Sequence, residues 1–192
     1  MPANVAGTNI IIFHAGEAAV KAQFFQDLLI EIQNVSSIAF ETIFAIDIFN
    51  EISVSVQQQP FSLTSGIVSF GATAIKSIAP TILVTASLFS PNAVGHDGFD
   101  GVQTRPPNAD DRYPLRPASL INRHADYIDL HVYASENTRA EFEGAALSPV
   151  KPILISEMGA FKNNYPNVSS AAIAIQNVMI ESLNYGFVGW GT

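Results

Sequence analysis

Short apolar runs rich in β-branched residues alternate along the chain with longer amphipathic stretches. The short runs have the length and composition of buried β-strands, and the longer stretches have the apolar spacing of helices. Six strands are predicted, at residues 9–13, 43–49, 81–86, 127–133, 152–156 and 186–190. Helices are predicted at residues 17–33, 62–78, 118–124, 136–146 and 169–184. Residues 90–117 are rich in Gly, Pro and Asp, which predicts a long loop.

Strands that alternate with helices are typical of a parallel sheet covered by helices, and near-continuous apolar strands agree with that arrangement. In the helix at residues 17–33 the spacing of the apolar residues marks one helical face, formed by Val20, Phe24, Leu28 and Ile32. The helix at residues 169–184 carries the apolar residues Ile173, Val178, Ile180 and Leu183. We predict a single α/β domain built on either an open doubly wound sheet or a (β/α)8 barrel. No glycine-rich nucleotide-binding motif favours the open sheet.

Polar side chains follow the predicted strands at the point where each strand ends. They are His14, Asn50, Glu51, His131, Tyr133, Glu157 and Trp190. In parallel α/β folds these strand ends meet at one edge of the sheet, where active sites are built. A carboxylate that ends an apolar strand is informative, because a buried charge is costly unless it has a partner or a task.

Strand alternation predicts which side chains share a face, because successive residues point to opposite sides. The predicted faces are Asp47 with Phe49 and Glu51, Asp129 with His131 and Tyr133, and Ile153 with Ile155 and Glu157. In a barrel, each face points inward at the upper rim. We therefore expect Glu51 and Glu157 to meet across a cleft, with Asp47 and Asp129 below them as a supporting polar layer.

Two facing carboxyl groups suit glycoside hydrolysis, in which one protonates the leaving oxygen and the other attacks the anomeric carbon. A separation of about 5–5.5 Å gives retention of configuration, and a wider gap admits water and gives inversion. His131 and Tyr133 can donate hydrogen bonds that orient the nucleophile, and the indole of Trp190 offers an apolar face for a sugar ring. The acidic residues and His96 of the long loop fit no standard ligand spacing, so we predict no metal and no cofactor.

Taken in order, these motifs resemble glycoside hydrolase family 5, the cellulase family within the clan A retaining (β/α)8 glycosidases. In that family an Asn-Glu pair ends strand four, a His-x-Tyr ends strand six, a Glu ends strand seven and a Trp ends strand eight. The runs IDIFNE, HVY, ISEMGA and GFVGW match these positions in this order. The resemblance implies that Glu51 is the catalytic acid/base and Glu157 the nucleophile. It implies substrate contacts for His14, Asn50, His131, Tyr133 and Trp190.

The resemblance covers about strands three to eight, so the expected fold is a partial barrel of about six parallel strands with helices outside. Residues 1–192 are expected to form one glycoside hydrolase catalytic domain, truncated at both ends. Strands one and two are missing on this alignment, together with an Arg that the family usually carries on strand two. Ile52 stands where Pro usually follows Asn-Glu. For these reasons we expect weak or no turnover from the isolated chain.

The expected activity is endo-glucanase-like hydrolysis, with retention, of a β-linked polysaccharide such as cellulose, β-glucan or mannan. Two alternatives stay open. One is a catalytically inactive barrel that only binds carbohydrate. The other is an open α/β sheet with unrelated chemistry, which places Glu51 and Glu157 far apart.

The composition narrows the choice of partners. The net charge is -8 with only 9 Lys and Arg, which argues against binding to nucleic acid or to an anionic membrane. The absence of cysteine excludes thiol catalysis and cysteine-ligated metals. We expect a neutral β-linked oligo- or polysaccharide as partner, and a monomer when the domain is complete. The resemblance implies a secreted enzyme, although the first residues lack the features of a signal peptide.

Overall fold

The computed structural model of the protein describes residues 15–51, 53–55, 61–89, 96–97, 102–103, 112–114, 125–134 and 151–191. Within these ranges the predicted alternation of helices and strands is confirmed. The predicted strand at residues 9–13 and the predicted helices at residues 118–124 and 136–146 lie outside the described residues.

The described helices are α1 (Ala15–Val35), α2 (Ser37–Glu41), α3 (Phe61–Ile78) and α4 (Val168–Asn184). Helix α2 is not among the helices predicted from the sequence. It begins after Ser36, and the Ser36 hydroxyl accepts the N–H of Ala39. Helix α4 begins with a reciprocal capping box between Asn167 and Ser170, in which each side chain accepts the other residue's N–H. Both caps satisfy N–H groups that have no partner within the helix.

The described strands are β1 (Ala45–Asp47), β2 (Ser53–Ser55), β3 (Leu83–Thr85), β4 (Ser87–Phe89), β5 (His96–Asp97), β6 (Val102–Gln103), β7 (Arg112–Pro114), β8 (Ile128–Tyr133), β9 (Ile153–Gly159) and β10 (Gly189–Trp190). Strand β1 pairs with β3, and β4, β8, β9 and β10 pair in succession, always in parallel. Strands β3 and β4 are segments of one run interrupted only at Ala86. Neighbouring strands therefore follow the order of the chain, as in a barrel and unlike a doubly wound sheet, whose order reverses at a switch point.

This strand order confirms the predicted partial (β/α)8 barrel. The parallel strands that the structure describes are β1, β3, β4, β8, β9 and β10. They do not close into a complete barrel.

Two short antiparallel pairs, β5–β6 and β7–β2, involve the region predicted as a loop, residues 90–117. Their strands have two or three residues each, too short for a pattern to show in the sequence. Strand β2 begins shortly after Glu51. The β2–β7 pairing therefore places residues 112–114 at the Glu51 end of the sheet.

One face of the parallel sheet is apolar and packs against the helices. On the sheet this core comprises Val84, Ala86, Leu88, Ile128, Leu130 and Val132, and on α1 and α3 it comprises Leu29, Val68, Ala72 and Ile75. Helix α3 comes especially near the sheet at Gly71, where an added Cβ would lie 2.9 Å from Cδ1 of Ile48. The alternate positions on these strands include the buried polar residues Thr85, Ser87, Asp129 and His131. The site forms on this second face.

The apolar face that the spacing marks on α1 is largely exposed, at Val20, Phe24 and Leu28. Among the side chains described in α1, Ala18 and Leu29 are buried instead. In α4 the buried residues are Val178 and Ser182, whereas Ile173, Ile180 and Leu183 are exposed. Both helices carry apolar residues on more than one side, so packing against the sheet and the neighbouring helix decides which side is buried. None of the helices that the structure describes combines the length and apolar character needed to cross a membrane.

Candidate active site

Glu51 lies in the turn after β1, in a backbone conformation that residues with a Cβ rarely adopt. Its φ is 51°, in the left-handed region, which costs such a residue roughly 1–2 kcal/mol. The Glu51 N–H donates to Oγ of Ser87 at 2.9 Å, and Ser87 Oγ donates to the carbonyl of Phe49 at 3.2 Å. Ser87 thus holds the turn that aims the Glu51 side chain. Strained residues of this kind concentrate at functional sites.

Glu157 reaches the polar face because β9 contains a β-bulge. Leu130 pairs with Ile155, but the next residue of β8, His131, pairs with Glu157, so Ser156 is an extra residue. In a regular strand Glu157 would share the face of Ile155, which is buried in the helix-side core. The prediction that Ile153, Ile155 and Glu157 share one face is therefore wrong. The bulge turns Glu157 to the side of His131.

The two carboxylates converge on one buried imidazole. His131 Nδ1 lies 3.3 Å from Oε1 of Glu51 and 3.4 Å from Oε2 of Glu157. The hydroxyl of Tyr133 donates to Oε1 of Glu157. The His131 side chain is only 3% exposed, whereas those of Glu51 and Glu157 are 29% and 45% exposed. The structure therefore brings four predicted site residues together, with both carboxylates open to an incoming molecule.

Packing on both sides fixes the ring of Tyr133. It stacks on Phe161 with ring centroids 4.6 Å apart and an interplanar angle of 22°. Its register partner on β9 is Gly159, where a Cβ would lie 3.2 Å from the ring. The absence of a side chain at Gly159 therefore gives the ring room. Phe161 is a site residue that the sequence analysis missed, since it follows the strand and belongs to no motif.

Two aspartates form the expected polar layer beneath this cluster and bind backbone N–H groups. Asp47 Oδ1 accepts from Phe49 at 3.1 Å and from Ser87 at 3.0 Å. Asp129 Oδ1 accepts from Ser156 at 3.0 Å. Burial raises the pKa of Asp129, while hydrogen bonds from Ser156 oppose the rise. Loss of water around its carboxylate also raises the pKa of Asp47, although part of that residue is exposed.

Two groups of side chains have donor atoms close enough to share a metal ion. They are Glu51 with His131 and Glu157, and Asp47 with Asp129 and His131, and the donor atoms in each group lie within 4.8 Å of one another. Nitrogen and oxygen donors of this kind suit several divalent metals. In the first group, however, His131 and Tyr133 already contact the carboxylates directly. The two carboxylates are therefore held side by side by direct hydrogen bonds and contacts from His131 and Tyr133.

The structure does not bring Trp190 to the carboxylates. Trp190 is in register with Ile155, on the helix side of the sheet, and its Nε1 donates to Oγ of buried Ser182 on α4 at 2.9 Å. The residue of β10 on the polar side of the sheet is Gly189, which is in register with Leu154. Asn50 precedes Glu51 in the same turn, with an exposed side chain. His14 lies outside the described residues.

No protein-family model and no curated protein matches the sequence. Among solved structures, the chain is similar to the hyperthermostable endo-1,4-β-D-mannanase of Thermotoga petrophila RKU-1, with a TM-score of 0.59 and 16% identity over 88% of this chain and 52% of that one. It is similar to a β-glucanase of Saccharophagus degradans, with a TM-score of 0.57 and 14% identity over 91% and 50%. It is also similar to endo-glycoceramidase II of Rhodococcus sp., solved as a lactosyl-enzyme intermediate, with a TM-score of 0.59 and 14% identity over 93% and 40%.

At these identities the similarity establishes the fold, and it confirms the predicted resemblance to (β/α)8 glycosidases at that level. The chain spans about half the length of the solved structures that it matches.

Proposed function

We propose that this chain is part of the catalytic domain of a retaining β-glycoside hydrolase, with Glu51 as acid/base and Glu157 as nucleophile. The convergence of both carboxylates on His131 carries the proposal, because one oxygen of Glu51 and one of Glu157 lie within 4.8 Å of each other. This upper limit fits the short separation of roughly 5–5.5 Å in retaining enzymes and lies well below the roughly 6.5–9.5 Å that leaves room for water in inverting ones.

The surroundings of the two carboxylates support the assignment of roles. Glu157 has a partner on each oxygen, Tyr133 on Oε1 and His131 on Oε2. Such donors orient a carboxylate and stabilise its negative charge, as a nucleophile requires. Glu51 is held instead through its backbone, by Ser87, and contacts only His131 of these two donors. This leaves the Glu51 carboxyl group available to exchange a proton with the substrate.

The reaction then has two steps. In the first, Glu51 gives its proton to the glycosidic oxygen while an oxygen of Glu157 attacks the anomeric carbon, so that the glycosidic bond breaks and a glycosyl ester forms. In the second, the Glu51 carboxylate takes a proton from water as the water oxygen attacks the same carbon. The ester bond breaks, Glu157 is released, and the sugar keeps its configuration.

The structural neighbours support a β-linked carbohydrate as the substrate class. Those named above are a β-mannanase, a β-glucanase and a glycoceramidase, and the last was solved as a lactosyl-enzyme intermediate. Such an intermediate is the hallmark of double displacement. The net charge of -8 also fits a neutral substrate better than an anionic one. We therefore propose a β-linked glucan or mannan, or an oligosaccharide derived from one.

Turnover of chromogenic aryl β-glucosides and β-mannosides by the complete domain that contains these residues tests this proposal, because weak or no turnover is expected of the isolated chain. We expect Glu157→Gln to abolish turnover while binding of the oligosaccharide persists, because the amide keeps the size of the side chain but cannot attack. Glu31→Gln, an exposed change on α1, is the matched control and should leave turnover unchanged. Wild-type protein that binds oligosaccharide without hydrolysing it would favour the non-catalytic alternative. Turnover that survives Glu157→Gln would contradict the proposed nucleophile.

A further inference from the structure

The orientation of Glu157 depends on a backbone irregularity that needs its own support. At a bulge the extra residue is left out of the regular ladder of hydrogen bonds between the strands. Here the extra residue is Ser156, and its N–H donates to Oδ1 of Asp129 on the neighbouring strand at 3.0 Å. Asp129 is 2% exposed, so the acceptor is held in place by the surrounding protein. A side chain of β8 thus replaces the missing backbone partner.

The opposite side of the bulge is also tightly enclosed. Gly191, just after β10, donates its N–H to the carbonyl of Ile155 at 2.8 Å. A Cβ on Gly191 would lie 3.2 Å from the Ser156 carbonyl oxygen and 3.3 Å from its Cα. Asp129 and Gly191 therefore hold the same irregularity from two neighbouring strands.

Loss of the bulge would move Glu157 by one position in the register. Glu157 would then lie opposite Val132 instead of His131, and its side chain would turn to the helix-covered face. Contact with His131 and with the Tyr133 hydroxyl would be lost together. The position of the carboxylate is thus coupled to the hydrogen bond between Asp129 and Ser156.

We infer that Asp129 is a positioning residue, whose hydrogen bond to Ser156 maintains the β-bulge that aims Glu157 at the substrate. This role rests on the proposed function, since it is defined by the nucleophile. Asp129 acts through the backbone of β9 and needs no contact with the sugar. The role requires the acceptor oxygen and not the negative charge, so a neutral side chain with an oxygen in the same place should also accept the Ser156 N–H and maintain the bulge.

The test compares Asp129→Leu, which removes the acceptor at similar size, with Asp129→Asn, which keeps an acceptor oxygen. For an aryl β-glycoside we expect Asp129→Leu to lower kcat by about 100-fold, as misplacement of a catalytic group by about 1 Å can do, with KM changed much less. Asp129→Asn should restore most of kcat. Gly191→Ala probes the bulge from the other side without removing a buried acid, and should also lower kcat more than it changes KM.

A second readout separates this inference from the proposed activity. Amide hydrogen exchange at Ser156, measured by NMR without substrate, should be at least about tenfold faster in Asp129→Leu than in wild type or Asp129→Asn. This measurement stands even if the isolated chain hydrolyses nothing, whereas failure of the complete domain to hydrolyse any β-glycoside would count against the proposed function alone. Unchanged protection of Ser156 in Asp129→Leu would overturn the inference. So would an equal loss of kcat in the Asn and Leu variants while Ser156 stays protected.

Discussion

Replacing Tyr133 with phenylalanine would remove one hydroxyl group from the centre of the site and leave the ring in place. The ring keeps its stacking partner Phe161 and the space above Gly159, so the packing should be unchanged. The loss is the hydrogen bond to Oε1 of Glu157. A hydrogen bond to a charged group contributes about 1.5–3 kcal/mol. Since about 1.36 kcal/mol corresponds to a tenfold change in rate, kcat/KM should fall by roughly 10- to 150-fold.

The assay is the kcat/KM of wild type and Tyr133→Phe on an aryl β-glycoside, together with urea unfolding of both proteins. We expect little change in the free energy of unfolding, because the Glu157 side chain is 45% exposed and water can replace the lost donor. Tyr165→Phe is a matched control, since it removes the same hydroxyl from the segment between β9 and α4. It should keep wild-type kcat/KM.

Two results would refute this reasoning. A Tyr133→Phe variant within about twofold of wild type would show that the hydroxyl does not stabilise the reacting Glu157, because that is far below the expected loss. An equal fall in Tyr165→Phe, or a large fall in the unfolding free energy of Tyr133→Phe, would point to a general disturbance of the fold.

Three further changes probe the placement of other residues. Trp190→Phe removes the indole donor to α4 and should lower the unfolding free energy by about 1–3 kcal/mol with KM unchanged, whereas a raised KM at unchanged stability would indicate a sugar platform. The pKa of Asp129 is raised above 3.8, so its ionised form is disfavoured in the fold. The free energy of unfolding of wild type should therefore fall relative to that of Asp129→Asn as the pH rises from about 3.8 through the raised pKa. Urea unfolding measured across that pH range tests this, and a relative gain in the stability of wild type would contradict it. Gly71→Val should press on Ile48 and lower the unfolding free energy by about 1–3 kcal/mol, while Thr73→Val at an exposed position of the same helix should cost much less.

The parallel α/β architecture can be predicted from the sequence because its signals are local. Strands such as β8 are apolar runs of the right length, and the helices α3 and α4 each lie between two of the parallel strands in the chain. Chain-order pairing of such strands then follows from short right-handed crossover connections. The carboxylates Glu51 and Glu157 are likewise predictable as strand-end residues, since an acid after an apolar run stands out in the sequence.

The face of Glu157 could not be predicted in the same way. Counting by twos from Ile153 and Ile155 puts Glu157 with them, and neither neighbour of Ser156 is a glycine or proline that would signal a bulge. The bulge depends on partners that are distant in sequence, Asp129 on β8 and Gly191 after β10. Only the assembled sheet brings these groups to Ser156.

Aromatic residues show the same dependence on tertiary contacts. Trp190 ends a strand, as a substrate platform would, yet its hydrogen bond to Ser182 directs it to α4. Phe161 carries no signal in the sequence but stacks on Tyr133. The face of α1 that is buried includes Leu29 and not the neighbouring Leu28. In each case the surroundings of the side chain are decided by packing in the folded protein, which the periodicity of the sequence alone does not determine.

Trapping with an activated 2-deoxy-2-fluoro β-glucoside or β-mannoside tests the central claim most directly, because the fluorine slows hydrolysis of the glycosyl ester and allows it to accumulate. Peptide mass spectrometry then locates the sugar. In the complete domain that contains these residues, we predict one fluorosugar bound to Glu157, and none in the Glu157→Gln variant. A sugar on Glu51 would reverse the two roles, and turnover that inverts the anomeric configuration with no trapped sugar would contradict the double displacement.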